Sequence, residues 1–225
     1  MSVKLTFLSH AGFVIESGEH TVVIDPFLSG NALAKTDPAD LNPTHIVLTH
    51  GHEDHFGDTI GIARRSGATV LTVNEIAGYL GEKGLNKLEP MNPGGKVITD
   101  FGYVALTQAF HSSSYEGQYM GMPAGAVINI GGKTFYHTGD TGIFSDMKLL
   151  GEIYKPDVAM ICAGDRFTMG PELASRAAEM IGAKTAIPMH YATFGLLADE
   201  DTVRKGFKPK GVDVKIMQPA ETIEL

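Results

Sequence analysis

Three histidines and an aspartate able to bind a metal, with a glutamate between them, fall within six residues, His50-Gly51-His52-Glu53-Asp54-His55. Imidazole and carboxylate groups are ligands for borderline metals such as zinc, manganese or iron. Burying so many ionisable groups together is costly unless a cation compensates them. The compact apolar run Thr44–Leu48 directly precedes them. The cluster therefore sits on the turn that ends a buried strand, where alternate side chains can converge on different points. This spacing lets one ion take His50 and His52 and a second take Asp54 and His55.

Four ligands are too few for two ions, and the chain supplies more donors in similar settings. His111 follows the apolar stretch Tyr103–Phe110, Asp140 follows the strand-like Thr134–His137, and His190 follows Ala186–Met189. His111 completes the pair His50 and His52, His190 completes Asp54 and His55, and Asp140 can bridge. Two ions about 3.5–4 Å apart polarise a substrate oxygen and lower the pKa of bound water to about 7, which is hydrolytic chemistry. Asp54 is the catalytic candidate, binding metal, orienting the attacking oxygen and returning a proton to the leaving group.

Weaker candidates surround this set. Asp25 ends the run Thr21–Ile24 and could fix a ligating imidazole, a support such sites commonly need; a turn-forming Asp-Pro is the equal alternative. Asp165 follows the run Val158–Cys162 and could contact substrate. Thr168 lies where a helix opens, and free N–H groups there would suit a carboxylate or phosphate. Cys162 reads as core, His45 as a packing residue and His20 as solvated.

The elements that must position these residues alternate along the chain. Short β-rich runs at Val3–Leu8, Phe13–Glu16 and Thr21–Ile24 read as a meander, followed by the Thr44–Leu48 strand. Helical spacing over Phe56–Ser66 stops at Gly67, and a second helix spans Glu75–Lys83 after the strand Thr69–Val73. The second half repeats the scheme, with strands at Val97–Ile98, Tyr103–Ala109, Ala126–Ile130, Thr134–His137, Val158–Ile161, Thr185–Pro188 and Asp213–Met217. Helices near Glu172–Ile181 and Asp199–Gly206 complete it, with Pro171 in a first turn where its missing N–H costs nothing. The pattern predicts one domain over residues 1–225, in two similar halves of about 1–100 and 101–225. Its fold is an α/β/β/α four-layer sandwich. Segments 26–43 and 111–123 are too long for simple turns and are expected beside the site, the latter as a possible lid.

Composition narrows the function. A formal charge of −8 with scattered basic residues argues against nucleic-acid binding. One cysteine gives no internal disulfide, and neither a leader nor an apolar run of membrane-spanning length stands out, so the cytoplasm is expected. The expected partner is a small-molecule substrate, an anionic one included, and a homo-oligomer is compatible.

The hexapeptide resembles the His-x-His-x-Asp-His signature of the metallo-β-lactamase superfamily. The ordered remainder, Asp25, His111, Asp140 and His190, is similar too, so the resemblance runs from about residue 5 to 195. The opening Leu-Ser-His-Ala-Gly-Phe and the Phe-Thr-Met-Gly-Pro segment at 167–171 resemble a compact branch of metal-dependent hydrolases similar to the lactonase acting on phosphorylated ascorbate. The resemblance implies two divalent ions, zinc or manganese, on His50, His52, Asp54, His55, His111, Asp140 and His190. It also implies that His10 faces substrate. A lactone or other small ester leads the substrate classes. A phosphodiesterase or nuclease on the same metals is the first alternative, and a mononuclear iron oxygenase acting on a persulfide is the second.

Overall fold

The computed structural model describes residues 2–225. Two seven-stranded sheets pack together with helices outside, giving the expected α/β/β/α sandwich.

The first sheet begins as an antiparallel meander, β1 (Lys4–Ser9), β2 (Gly12–Ser17) and β3 (His20–Ile24). It continues in parallel through β4 (His45–Val47), β5 (Thr69–Val73) and β6 (Leu88–Met91). Between them lie α1 (Glu53–Phe56), α2 (Thr59–Ser66) and α3 (Asn74–Glu82), the last packing on β5 and β6. The second sheet runs antiparallel through β7 (Lys96–Thr99), β8 (Gly102–Gln108), β11 (Ala124–Ile130) and β12 (Lys133–His137), with a small hairpin, β9 (Ser114–Tyr115) and β10 (Gln118–Tyr119), inserted. It turns parallel through β13 (Val158–Cys162), β14 (Thr185–Met189) and β15 (Asp213–Val214). Three helices flank it: α4 (Met147–Tyr154), α5 (Pro171–Ile181) and α6 (Glu200–Gly206). The last strand, β16 (Thr222–Glu224), returns to pair with β1.

Strand direction places the site. Two antiparallel steps restore direction, so β1, β3, β4 and β5 all end at one edge of the first sheet. By the same parity β8, β12, β13 and β14 end at one edge of the second. The two edges meet, because His190 N donates to His10 O at 2.7 Å and Ala124 N donates to Thr49 O at 3.0 Å. Buried Val, Ile, Leu and Phe side chains fill the interior, β13 being buried at every residue. Each such side chain contributes about 1.5–3 kcal/mol on burial, which lets the fold sustain a polar edge.

The structure corrects several boundaries. The helix expected over 56–66 is two helices, broken at Gly57, whose φ of +41° few L residues adopt. A Cβ there would stand 2.3 Å from Pro26 O, so the break lets the chain after β3 pass close by. The strand expected at Asp213–Met217 pairs only over Asp213–Val214. The sequence reading omitted β6, β9, β10, β16 and α4. No helix among the described residues is long and apolar enough to cross a membrane.

Candidate metal centre

The donors from both sheets gather where the strand ends meet. His50, His52 and His111 form one group whose ligand atoms all lie within 4.8 Å of one another. His10, Asp54, His55 and His190 form a second on the same criterion. Asp140 faces both: its Oδ1 lies 3.3 Å from His55 Nε2, and its Oδ2 lies 2.9 Å from His190 Nε2, 3.5 Å from His111 Nε2 and 4.0 Å from His50 Nε2. All seven residues expected around the cations are thus within one constellation, and His10 joins them.

Hydrogen bonds behind the cluster fix which nitrogen of each ring is free. Thr49 N donates to Asp25 Oδ1 at 2.9 Å, and Thr49 Oγ1 donates to Asp25 Oδ2 at 2.6 Å. Having spent its proton there, Thr49 Oγ1 accepts from His50 Nδ1 at 3.0 Å. His55 Nδ1 donates to Asp25 Oδ2 at 2.7 Å. One carboxylate therefore places the protons of both neutral rings on Nδ1 and leaves both Nε2 atoms as ligands. Asp25, His50 and His55 also form a compact triad. Its carboxylate oxygens are taken by these donors, so Asp25 supports the rings. His52 presents Nδ1, which lies 3.1 Å from His50 Nε2, while its Nε2 lies 3.3 Å from Ser112 Oγ.

These residues fit a divalent cation. His55 Nε2 and Asp140 Oδ1 are buried, face each other and have no hydrogen-bond partner. Tetrahedral zinc at about 2.0–2.1 Å from each donor leaves those donors roughly 3.3 Å apart. The spacings of 2.9–3.6 Å between Asp140 and His190, Asp140 and His55, Asp140 and His111, and Asp54 and His190 bracket that value.

Without a cation the cluster divides its protons sharply. Burial disfavours the charged ring of His55, yet Asp140 and Asp25 on either side lift its pKa well above 6.5. Burial acts likewise on His190, but the charge of Asp140 and the hydrogen bonds that the ring donates to the Asp140 and Asp54 carboxylates raise it to about 9. Burial and the neighbouring His55 charge hold His50 well below 6.5. Burial, with the His190 charge, lowers His10 to about 4. Burial alone would raise both carboxyls, but hydrogen bonds from His10 and His190 hold Asp54 below the usual range. The His190 and His55 charges do the same for Asp140.

Backbone strain marks the same places. His10, Asp25 and His190 have φ of +55°, +42° and +61°, a region costing non-glycine residues of order 1–3 kcal/mol each. Each directly follows, or nearly follows, a strand end, so the strain turns its side chain across the edge. His10 Nε2 meets Asp54 Oδ2 at 3.0 Å, and its Nδ1 meets Thr193 Oγ1 at 2.8 Å.

Two weaker candidates do not reach the cluster. Asp165 is exposed, and its carboxyl group lies 3.4 Å from where a Cβ on Gly170 would stand. That carboxyl group stands beside the start of α5, although no side chain caps the helix. Thr168 turns its hydroxyl to Met169 O at 3.4 Å, and the residue capping α5 is Gly170. Cys162 is buried core, as expected, with its thiol pushed up to about 11 by burial and the Asp140 charge.

The segment 111–123 is fastened down. Gly51 N donates to Ser113 Oγ at 3.0 Å, Ser113 Oγ donates to Met120 O at 3.2 Å, and Tyr115 stacks on Phe56 at 4.2 Å. A Cβ on Gly51 would stand 2.5 Å from Met120 Cβ, so the glycine between the two histidines admits this segment. Sequence reasoning missed Thr49 and Thr193. Thr49 could have been noticed, since a hydroxyl directly before a ligand is well placed to orient it. A cavity of about 830 Å³ opens over the cluster, with Phe27, Phe167, Phe194, Leu196 and Leu197 on its walls.

Known proteins agree with this geometry. The profile of the Beta-lactamase superfamily domain matches residues 20–191. The UPF0173 metal-dependent hydrolase YtkL of Bacillus subtilis is 46% identical over 229 residues, covering 99% of this chain and 100% of that one. A UPF0173 metal-dependent hydrolase of Methanosarcina mazei is 46% identical over 230 residues, covering 99% of each chain. The solved structure of Igni18, a metallo hydrolase from the hyperthermophilic archaeon Ignicoccus hospitalis, superposes with a TM-score of 0.88 at 35% identity, covering 100% of this chain and 99% of that one.

Proposed function

Because the chain belongs to the beta-lactamase superfamily, and within it to the UPF0173 metal-dependent hydrolases, we propose that it holds two divalent ions and hydrolyses a small ester, a lactone first. The observation carrying this reading is Asp140, whose two oxygens face the two donor groups from between them. His50, His52 and His111 would hold one ion, Asp54, His55 and His190 the other, and Asp140 both. An all-His/Asp set suits zinc, with manganese the competitor.

When bound, the ions supply Lewis acidity toward the substrate carbonyl and acidify water enough for attack near neutral pH. The protein's own groups do the rest. Asp25 holds the His55 ring by its Nδ1 and the His50 ring through Thr49, so both stay aimed without reorganising. Asp54 Oδ2 is held by His10 Nε2. The other oxygen, Oδ1, would take the proton from water and pass it to the leaving alkoxide. The resemblance of the Leu-Ser-His-Ala-Gly-Phe and Phe-Thr-Met-Gly-Pro segments to a lactonase branch supports a lactone ring as the reacting group, without extending to the phosphate on that branch's substrate.

The test is metal analysis of the purified chain together with a hydrolysis screen of lactones, simple esters, phosphodiesters and thioesters. An Asp54→Ala control accompanies it. Two zinc or manganese ions per chain, and ester turnover lost in the control, are expected. One iron per chain with oxygen uptake, or phosphodiester turnover alone, refutes the reading.

A further inference from the structure

The cavity over the cluster is polar on its floor and apolar on its walls. His52, Asp54, His111, Asp140 and His190 reach it from below, while Phe27, Phe167, Phe194, Leu196 and Leu197 surround it. Three of these apolar side chains are far from buried: Phe167 is 53% exposed, Phe194 42% and Leu196 60%. Apolar side chains left in solvent singly need no explanation, but a set ringing a site of this size does.

The wall is held in place. Phe194 lies 5.4 Å from the His10 ring and 6.1 Å from the Phe27 ring, so it forms one aromatic surface with groups next to the donors. The loop bearing it is closed on itself and tied down. Leu197 N donates to Phe194 O at 3.0 Å, Ala192 N to Ala198 O at 2.9 Å, and Ala198 N to Gly164 O at 2.8 Å. Glu53 also lines the cavity, and no lysine or arginine does among the described residues. The Asp165 carboxyl group lies beside Gly170, just before α5.

We propose that the part of the substrate remote from the scissile bond is an uncharged aryl or short alkyl group seated on this wall, and that a remote anion is selected against. This rests on the hydrolase reading above and names its substrate class. A carboxylate or phosphate carried away from the donors would face phenyl rings and the Glu53 side chain; the Arg166 guanidinium lies 5.7 Å from the Phe167 ring but does not line the cavity. A phenyl group would bury its faces against Phe194 and Leu196.

The test compares phenethyl acetate with the same ester bearing a para-carboxylate on its ring, using the zinc-loaded full chain. The reacting acetyl group is common to both, so only the remote end differs. The neutral ester should have a kcat/KM higher by about tenfold or more, the scale of one extra or missing apolar group in a pocket. In parallel, calorimetry compares binding of benzylacetone, an unreactive ketone of like shape, with its para-carboxylate, again with about tenfold expected. Equal or tighter binding of the charged ketone overturns the proposal, whatever the esters do. If the neutral ketone binds more tightly but neither ester turns over, the proposal stands and the esterase reading falls. Phe194→Ala and, separately, the more exposed Leu196→Ala should shrink the preference for the neutral partner while zinc content is kept. An unchanged preference in both variants removes the wall from the explanation.

Discussion

Replacing Asp25 by asparagine should weaken metal binding at both donor groups, although Asp25 touches only the backs of the rings. The carboxylate accepts three hydrogen bonds, from Thr49 N, Thr49 Oγ1 and His55 Nδ1. Asparagine keeps one oxygen, which satisfies Thr49 N, and turns a donor toward the other two. The His55 ring must then accept at Nδ1, moving its proton to Nε2, the atom facing Asp140. Thr49 Oγ1, now receiving a proton, is released to donate to His50 Nδ1, which moves the His50 proton to Nε2 as well. Loss of such a supporting group costs about 10–100-fold in metal affinity, or roughly 1.4–2.7 kcal/mol. Thr49→Val isolates half of the effect: it unties His50 but leaves the Asp25–His55 bond. Competition against a calibrated chelator, with bound zinc counted per chain, should show both ions weakened in Asp25→Asn and one in Thr49→Val. Unaltered affinity for both ions in Asp25→Asn would refute the tautomer argument.

Three further outcomes follow from the same geometry. The metal-free protein should be most stable near pH 6.5. Above it, the proton held by His190 up to about 9 is lost from the folded state, so stability falls as pH rises. Below it, His10, lowered to about 4, stays neutral while the unfolded chain takes up protons, so stability falls as pH drops. Urea unfolding of chelator-treated protein between pH 5 and 9, as an approximate range, checks this, and a steady rise across the range contradicts it. Zinc uptake should release protons and tighten from pH 6.5 toward about 9, because His55 and His190 must lose theirs to bind; a pH-independent affinity would count against the assignment. Gly57→Ala should destabilise the fold by about 2–5 kcal/mol in urea unfolding, strain and overlap with Pro26 adding; a loss under about 1 kcal/mol would mean that the turn relaxes freely.

Much of the fold was legible from local pattern. The strands that failed to show were those with little apolar signal: β6 contains Pro90, β9 and β10 are two residues each, and β16 is exposed at Thr222 and Glu224. Helix α4 escaped because Leu149 and Ile153 point outward and blur its apolar period. The hexapeptide was readable because its chemistry lies within six consecutive residues, and His111, Asp140 and His190 because each follows a strand.

The same rule could not separate His10 from Asp165, since both stand just past a strand. Tertiary structure decided between them, and φ did not, being +55° at His10 and +60° at Asp165: packing sets His10 against Asp54, while the Asp165 carboxylate stays exposed beside α5. Nor could sequence reveal that Thr49 relays Asp25 to His50, or that Phe27 and Phe194, far apart in the chain, share one wall. Residue type and local period fix which groups can ligate and which strands they follow. Only packing the two sheets face to face, so that their strand ends meet, fixes where those groups point, because a side chain's partner across the interface leaves no trace in its own neighbourhood of the chain.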